Sequence, residues 1–279
     1  MRTPAFCLLT TAALFAIPPI GSAQADDLFP DKNLEAVVRQ YVFEKRNNEE
    51  PLVEADVENI STIVGKKKGI TNLVGLEKCR SLALLDLAGN EIEDLTPIKD
   101  LKNIQSLDLS SNKIKDITAL EGLTALQYVQ LENNQVTDLA AVATLENLRN
   151  LYLANNQVKD VTPLAGLTKM VSLYLDSNQV SDIKPLAALT TLERLDVRGN
   201  GIGDISPLSG YTELTYLFLQ DNQITDLGVL VEMAQKDFEG QKRFAPFWRL
   251  YLKGNPLSEA ALNEQIPKLK ELGGRVSLE

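Results

Sequence analysis

Histidine is absent from the 279 residues, and with it go serine–histidine and cysteine–histidine nucleophiles and every histidine-ligated metal site. Cysteine is nearly absent. Of the two, Cys7 lies in an N-terminal leader and Cys79 is left alone, so no disulfide can close within the mature chain and stability must come from packing. Beyond the leader no run approaches the roughly 18 consecutive apolar residues that a membrane-spanning helix needs. Positive charge is in deficit, with 28 Lys and Arg against 38 Asp and Glu and a net charge of −10. Such a field opposes nucleic acid and anionic lipid surfaces.

The first 25 residues read as a cleaved secretory signal. Met1-Arg2 precedes an apolar run from Phe6 to Ile17, broken by Pro18-Pro19, and the stretch ends at Ala23-Gln24-Ala25. Cleavage after Ala25 puts Asp26 first, where a lipoprotein would need cysteine. The expectation is an exported, unlipidated protein, either periplasmic or secreted. Loss of Arg2 leaves 27 basic against 38 acidic side chains, a mature net charge of −11.

What the chain has in abundance is a period. Asn90, Asn112, Asn134, Asn156, Asn178, Asn200 and Asn222 stand 22 residues apart, and Asn255 follows after 33. Eleven residues are thus inserted between Asp226 and Trp248, and Val229, Leu230, Met233 and Phe238 give much of that insertion a helical pattern. Leu148, Leu151, Leu153, Val158, Val161, Leu164 and Leu167 set the apolar frame of one repeat, LxxLxLxxNxVxxVxxLxxL. One such loop buries too little apolar surface to offset the entropy of ordering its backbone. Repeats must therefore stack, and a stack needs capped ends.

Both ends carry candidate caps. Asp31 is placed to N-cap a helix whose Leu34, Val37, Val38, Tyr41 and Val42 share a face. Ser258 opens a C-terminal helical segment with Leu262, Ile266, Leu269 and Leu272 on one side, and Pro267 should kink or restart it. Ile60, Ile63, Ile70, Leu73, Leu76 and Cys79 mark a degenerate first repeat, with Lys68 in place of the asparagine. That alignment sends Cys79 into the core, together with Tyr211 of the same column, and Phe247 also falls in an interior column.

In these positions the sequence resembles leucine-rich repeats of the 22-residue class, above all the bacterial internalins, whose LxxLxLxxNxIxDLxPL pattern it follows from about Asp31 to Glu279. The resemblance implies an α/β leucine-rich repeat solenoid. This is a curved right-handed stack with a parallel sheet on its concave face, 3₁₀ turns on its convex face and helical caps. Residues 1–25 are then the signal peptide, 26–59 an N-terminal helical cap, 60–257 about eight full repeats after a degenerate one, with the insertion near 229–247, and 258–279 a C-terminal cap. The resemblance further implies recognition of other proteins by the concave face.

The repeat asparagines, Asn90 to Asn222 and Asn255, follow the strand where the chain turns, and their amides can pair backbone groups that the stack would otherwise leave unpaired. Four residues after each asparagine of the regular series comes an aspartate: Asp94, Asp116, Asp138, Asp160, Asp182, Asp204 and Asp226. Prolines at 97, 163, 185 and 207 suit the first position of a short helix, so these aspartates are read as caps of that turn. A calcium ladder, the alternative, needs six to eight oxygens per ion and lacks a glycine- and aspartate-rich consensus here. Neither metal nor cofactor is expected.

Strand residues that alternate with the buried leucines must point to the concave side. Their central column reads Asp86, Asp108, Gln130, Tyr152, Tyr174, Asp196, Phe218, Tyr251. The column before it reads Leu84, Ser106, Tyr128, Asn150, Ser172, Arg194, Tyr216, Arg249, and the one after it Ala88, Ser110, Glu132, Ala154, Asp176, Arg198, Gln220, Lys253. Aromatic and arginine side chains are favoured at the centres of protein interfaces. The expected ligand-binding set is therefore Tyr128, Tyr152, Tyr174, Arg194, Asp196, Arg198, Tyr216, Phe218, Arg249 and Tyr251. A charge gradient runs from Asp86, Asp108 and Glu132 to Arg194, Arg198, Arg249 and Lys253. Eight strands about 4.8 Å apart span roughly 34 Å, a length that suits an extended peptide or small domain.

The leading expectation is a monomeric, non-enzymatic module binding a protein or extended peptide, with no nucleic acid and no membrane insertion. Two alternatives stand beside it. Asp86 and Asp108, lateral neighbours at about 5 Å, would suit retaining glycoside hydrolysis. The insertion, with Phe238, Phe244, Phe247 and Trp248, could instead drive lateral assembly.

Overall fold

A Leu-x-Leu segment followed by asparagine makes a strand too short to stand alone, yet able to pair sideways with copies of itself. The computed structural model describes residues 27–279, and in it ten short strands, most of them of this kind, form one parallel sheet whose spatial order is the order of the chain. They are β1 (Thr62–Val64), β2 (Leu84–Asp86), β3 (Ser106–Asp108), β4 (Tyr128–Gln130), β5 (Asn150–Tyr152), β6 (Ser172–Tyr174), β7 (Arg194–Asp196), β8 (Tyr216–Phe218), β9 (Arg249–Tyr251) and β10 (Arg275–Ser277). Register follows the repeat: Leu85 faces Leu107, Leu151 faces Leu173, and Leu195 faces Leu217. The insertion is stepped over without slippage, Leu217 facing Leu250. The expected signal peptide, residues 1–25, lies outside the described residues.

Each loop closes its own layer of core. Leu151 and Leu153 turn inward from the strand side, and Val158, Val161, Leu164 and Leu167 meet them from the return side, all buried. The chain returns through 3₁₀ turns such as Thr96–Ile98, Thr162–Leu164, Lys184–Ala188 and Ser206–Gly210. Their prolines stand second in the turn, one residue later than expected. A turn this short makes few internal bonds, so the missing N–H costs little at either place.

The asparagine ladder works as anticipated. Asn156 Oδ1 accepts from the Val136 N–H of the preceding loop at 2.9 Å, while its Nδ2 donates to Leu131 O at 2.9 Å and Leu153 O at 3.0 Å. The same arrangement recurs from Asn90 to Asn255. The residue before each ladder asparagine is left-handed, with φ of 55° at Asn133 and Asn155, 56° at Ser111 and Ser177, and 59° at Gly199. This explains why the position holds only glycine, asparagine, serine or aspartate in these loops.

All seven aspartates cap their turns. Asp94 Oδ1 accepts from Thr96 N–H, and Asp116, Asp138, Asp160, Asp182, Asp204 and Asp226 do the same for the residue two positions on, at 2.8 to 2.9 Å. The Thr118 hydroxyl and N–H hold Asp116 below the ordinary aspartate range, Thr162 does so for Asp160, and Ser206 for Asp204. A carboxylate with a depressed folded-state pKa stabilises above its unfolded pKa, and the contribution is lost as pH falls through the folded value. Thermal midpoints should therefore drop on acidification below roughly pH 4. A triple variant, Asp116→Asn, Asp160→Asn and Asp204→Asn, keeps the capping oxygen without the titrating charge and should show a shallower acid limb. Equal slopes for variant and parent would remove these caps from the pH dependence.

Helix α1 (Lys32–Arg39) begins where expected. Asp31 Oδ1 accepts from Asn33 and Leu34 N–H, while its Oδ2 accepts from Thr71 and Asn72 N–H, stitching the helix to the degenerate loop. Because the helix stops at Arg39, Tyr41 is not a buried member of its face; its exposed ring reaches the sheet's first edge, where the hydroxyl accepts from Val64 N–H at 2.9 Å. A short helix, α2 (Glu54–Val57), completes this cap.

The insertion forms α3 (Gly228–Glu239), as its pattern predicts. Its return does not follow the repeat frame. A 3₁₀ turn at Ala245–Phe247 rotates the chain by one residue, so Phe247 is 64% exposed while Trp248 drops into the core and meets Phe244 edge-on at 5.1 Å. The expectation of an interior Phe247 is thereby corrected. Asp237, buried on α3, accepts from the N–H groups of Arg243, Phe244 and Ala245 at 2.9, 3.1 and 2.9 Å.

At the C-terminal end Ser258 Oγ accepts from Ala261 N–H, opening the helical segment. Pro267 restarts it: a π turn at Ala261–Gln265 precedes α4 (Ile266–Glu271). The wider turn shifts the helical phase, so Ala261 is buried and Leu262, expected inside, is 45% exposed. Strand β10, which no period announced, then pairs with β9. Cys79 and Tyr211 are both buried; the Tyr211 hydroxyl donates to Leu186 O at 2.8 Å, and burial pushes the Cys79 thiol up to about 12. Among the described residues no helix is long and apolar enough to cross a membrane.

Candidate functional site

The parallel register brings the alternating strand residues into lateral files on the concave side. Tyr128 lies beside Asn150, Tyr152 beside Tyr174, Arg194 beside Tyr216, and Phe218 beside Tyr251. All the rings in these files are half-buried. Packing against neighbours on the same face, not contact with the core, is what buries them.

The rings form two groups. On β4 to β6, Tyr128 and Tyr152 are tilted with centroids 5.3 Å apart, and Tyr152 stacks on Tyr174 at 4.9 Å and 19°. On β8 and β9, Phe218 stacks on Tyr251 at 4.7 Å and 10°, with Tyr216 6.3 Å from Phe218. Such geometry is worth about 0.5–1.5 kcal/mol per pair beyond area burial. Burial, then the neighbouring Tyr152, pushes the Tyr128 phenol up to about 12, and burial raises Tyr174 as well. These phenols stay protonated at neutral pH and can donate hydrogen bonds.

Strand β7 separates the two groups with a different chemistry. Asp196 is only 1% exposed, and Arg198 closes over it, donating from Nε to Oδ1 at 2.9 Å and pairing with Oδ2 at 2.6 Å. Burial holds the Asp196 carboxyl above the usual range even beside that guanidinium. Asp196 therefore positions Arg198 and is not itself presented to a ligand, which corrects its place in the expected set. Arg198 also lies over Phe218 at 5.3 Å. Arg194 and Arg249 both face the Tyr216 ring, at 5.4 and 5.2 Å.

The expected charge gradient is weaker than the columns alone indicate. Lys66 reaches between Asp86 and Asp108, at 2.8 and 3.6 Å, and compensates the acidic end. It also fills the space between the two carboxylates proposed as a hydrolytic pair, and Ser110 donates to Asp108 Oδ1 at 2.7 Å, so the pair does not face an open cleft. Lys66 stands 22 residues before Ala88 and continues the third column into the degenerate loop; extending the frame upstream would have found it. Glu132 remains half-buried in that column, and burial raises its carboxyl pKa. Among the described residues no group of three or more cysteine, aspartate or glutamate side chains is arranged to hold a metal ion.

Comparison with known proteins adds to this geometry. The family described as Leucine Rich repeats (2 copies) matches residues 102–144, 146–188 and 190–232. The fold is similar to internalin C2 of Listeria monocytogenes at 38% identity, covering 74% of this chain and 91% of that one with a TM-score of 0.71. A second Listeria monocytogenes internalin, inlF, is 30% identical over 90% of this chain and 75% of its own, with a TM-score of 0.68. A plant peptide hormone receptor, RGFR1, solved in complex with RGF2, shares the fold alone, at 20% identity over 66% of this chain and 30% of its own, with a TM-score of 0.54. No curated protein matches the sequence.

Proposed function

The chain belongs to the internalin-like leucine-rich repeat proteins, and from that premise we propose that it is an exported, non-enzymatic recognition module that binds a protein or extended peptide through its concave face. A protein-interaction role in general is what the fold and its internalin relatives support. The single observation that carries the finer reading is the placement of aromatic rings. Five of the seven tyrosines lie in the concave files, and the pairs that stack there are already ordered. Rings held in place by neighbours lose little freedom on binding, so most of their contact energy is available to a partner.

Export is supported by the leader-like residues 1–25. Lateral assembly through the insertion is the weaker reading, because Phe244 and Trp248 are core and only Phe238 and Phe247 of that cluster are exposed.

The test is the double variant Tyr152→Ala with Tyr174→Ala in affinity capture from native extracts, followed by titration of the captured protein. The expected loss is at least tenfold in affinity, about 1.4 kcal/mol or more, with circular dichroism and melting temperature close to wild type. If every partner bound by the parent is still bound by the folded variant, the concave face is not the site.

A further inference from the structure

Resting on the concave-face reading, we infer that the β7–β9 end of the sheet is an anion-accepting subsite which receives an acidic peptide segment of the partner. Arg194 and Arg249 flank the Tyr216 ring from the strands on either side, in one lateral file. Among the described residues Arg249 takes part in no ion pair, and Arg194 has only its chain neighbour Glu193, at 3.6 Å. Arg198, by contrast, is committed to Asp196. Neither guanidinium is tied to a carboxylate on another strand, and both rest on an aromatic face, which orients their donor forks without neutralising them. A carboxylate is the group such forks bind in bidentate fashion.

Beside this file lies the Phe218–Tyr251 stack, an apolar floor on which the aliphatic or aromatic part of a bound segment can rest. Charge complementarity favours a peptide over other anionic partners. Further along the sheet the concave files hold the half-buried carboxyls of Glu132 and Asp176, and the whole protein carries a net charge of −10. A uniformly charged polyanion, such as nucleic acid, sulfated glycan or an anionic membrane, would be repelled along the rest of the arc. A peptide can carry acidic residues at one end and neutral aromatic residues at the other.

The experiment is a fluorescence-anisotropy titration with two synthetic fluorescein-labelled peptides. Both have a neutral, tyrosine-containing half; the other half alternates glutamate with tyrosine in one and glutamine with tyrosine in the other. Wild-type protein should bind the glutamate peptide at least tenfold more tightly at low salt, with the difference closing as salt rises. The variant Arg194→Gln with Arg249→Gln should erase the difference, so that the two peptides bind it with equal affinity. Lys99→Ala with Lys102→Ala, on the opposite side of the stack, should preserve it.

Equal affinity for the two peptides, a difference that survives in the arginine variant, or no measurable binding of the glutamate peptide would each overturn the subsite. So would more effective competition by heparin or by phosphatidylglycerol vesicles than by unlabelled glutamate peptide. Tyr152→Ala with Tyr174→Ala is titrated alongside. If it weakens both peptides while the arginine variant changes nothing, the concave face stands and the anion subsite falls.

Discussion

Replacing Asn156 by alanine should remove about 2–6 kcal/mol of stability, since one buried N–H is left unpaired at about 1–3 kcal/mol and two carbonyls each lose one of the two amide donors they share with Asn134 and Asn178, at about 0.5–1.5 kcal/mol per bond. The groups are the Val136 N–H and the carbonyls of Leu131 and Leu153. They belong to two adjacent loops, so the damage falls on the interface between repeats as well as within one. In a linear array the stability of the whole is close to a sum of repeats and interfaces. Asn156 lies mid-stack, and its loss should leave two shorter arrays that no longer melt together, with a broadened or two-step urea transition.

The neighbouring asparagine provides the control. Asn133 also makes side-chain bonds, but to the exposed Ser111 and Asn155 side chains, and Asn133→Gly keeps the left-handed backbone. Its cost should be a few tenths of a kcal/mol, in the range typical of surface changes. An Asn156→Ala protein within about 1 kcal/mol of wild type would mean that water replaces the amide at little cost, and the ladder would lose its claim to hold the loops together.

Asp237→Ala should be at least as damaging, at about 3 kcal/mol or more, because it strips the acceptor from three N–H groups at once. A carboxylate in the last turn of α3 opposes the helix dipole. Its presence there is explained by the loop it gathers. Without it the segment after α3 should loosen and Phe244 should part from Trp248. That indole is the only tryptophan of the chain, so its emission should shift to the red in the folded baseline before global unfolding. Asp237→Asn retains one acceptor oxygen and should lie between the two. Emission in Asp237→Ala that stays at the wild-type wavelength would show that packing alone holds the insertion.

Much of the fold is legible because one physical constraint repeats. A strand residue that must be buried, an asparagine that must satisfy three backbone groups and an aspartate that must cap a turn recur at one spacing, so each loop checks the reading of the next. The misplacements occur where that spacing is broken. Phe247 and Leu262 are misassigned because a 3₁₀ turn and a π turn change the number of residues per turn, and a fixed frame has no means of registering the change. Strand β10 follows β9 by 26 residues, off the 22-residue spacing, so it has no periodic signature.

The candidate site was legible in its files and not in its pairings. Register alone places Tyr152 beside Tyr174 and Arg194 beside Tyr216. Which charges are spent on one another depends on side-chain reach: Lys66 spans two strands to meet Asp86 and Asp108, and Arg198 folds back along its own strand onto Asp196. Such choices follow from rotamers and burial, which a column of letters does not encode.

The unbroken register across the sheet has a bearing on how such a molecule can change over generations. Because every loop offers its neighbour the same hydrogen-bonding edge and the same greasy profile, a whole unit can be duplicated or deleted between the two end caps without redesigning the remainder. Each such event would lengthen or shorten the face by about 4.8 Å, moving the arginine end relative to the tyrosine end in steps of one unit. Partner preference could in this way drift by copying, with the interior left untouched.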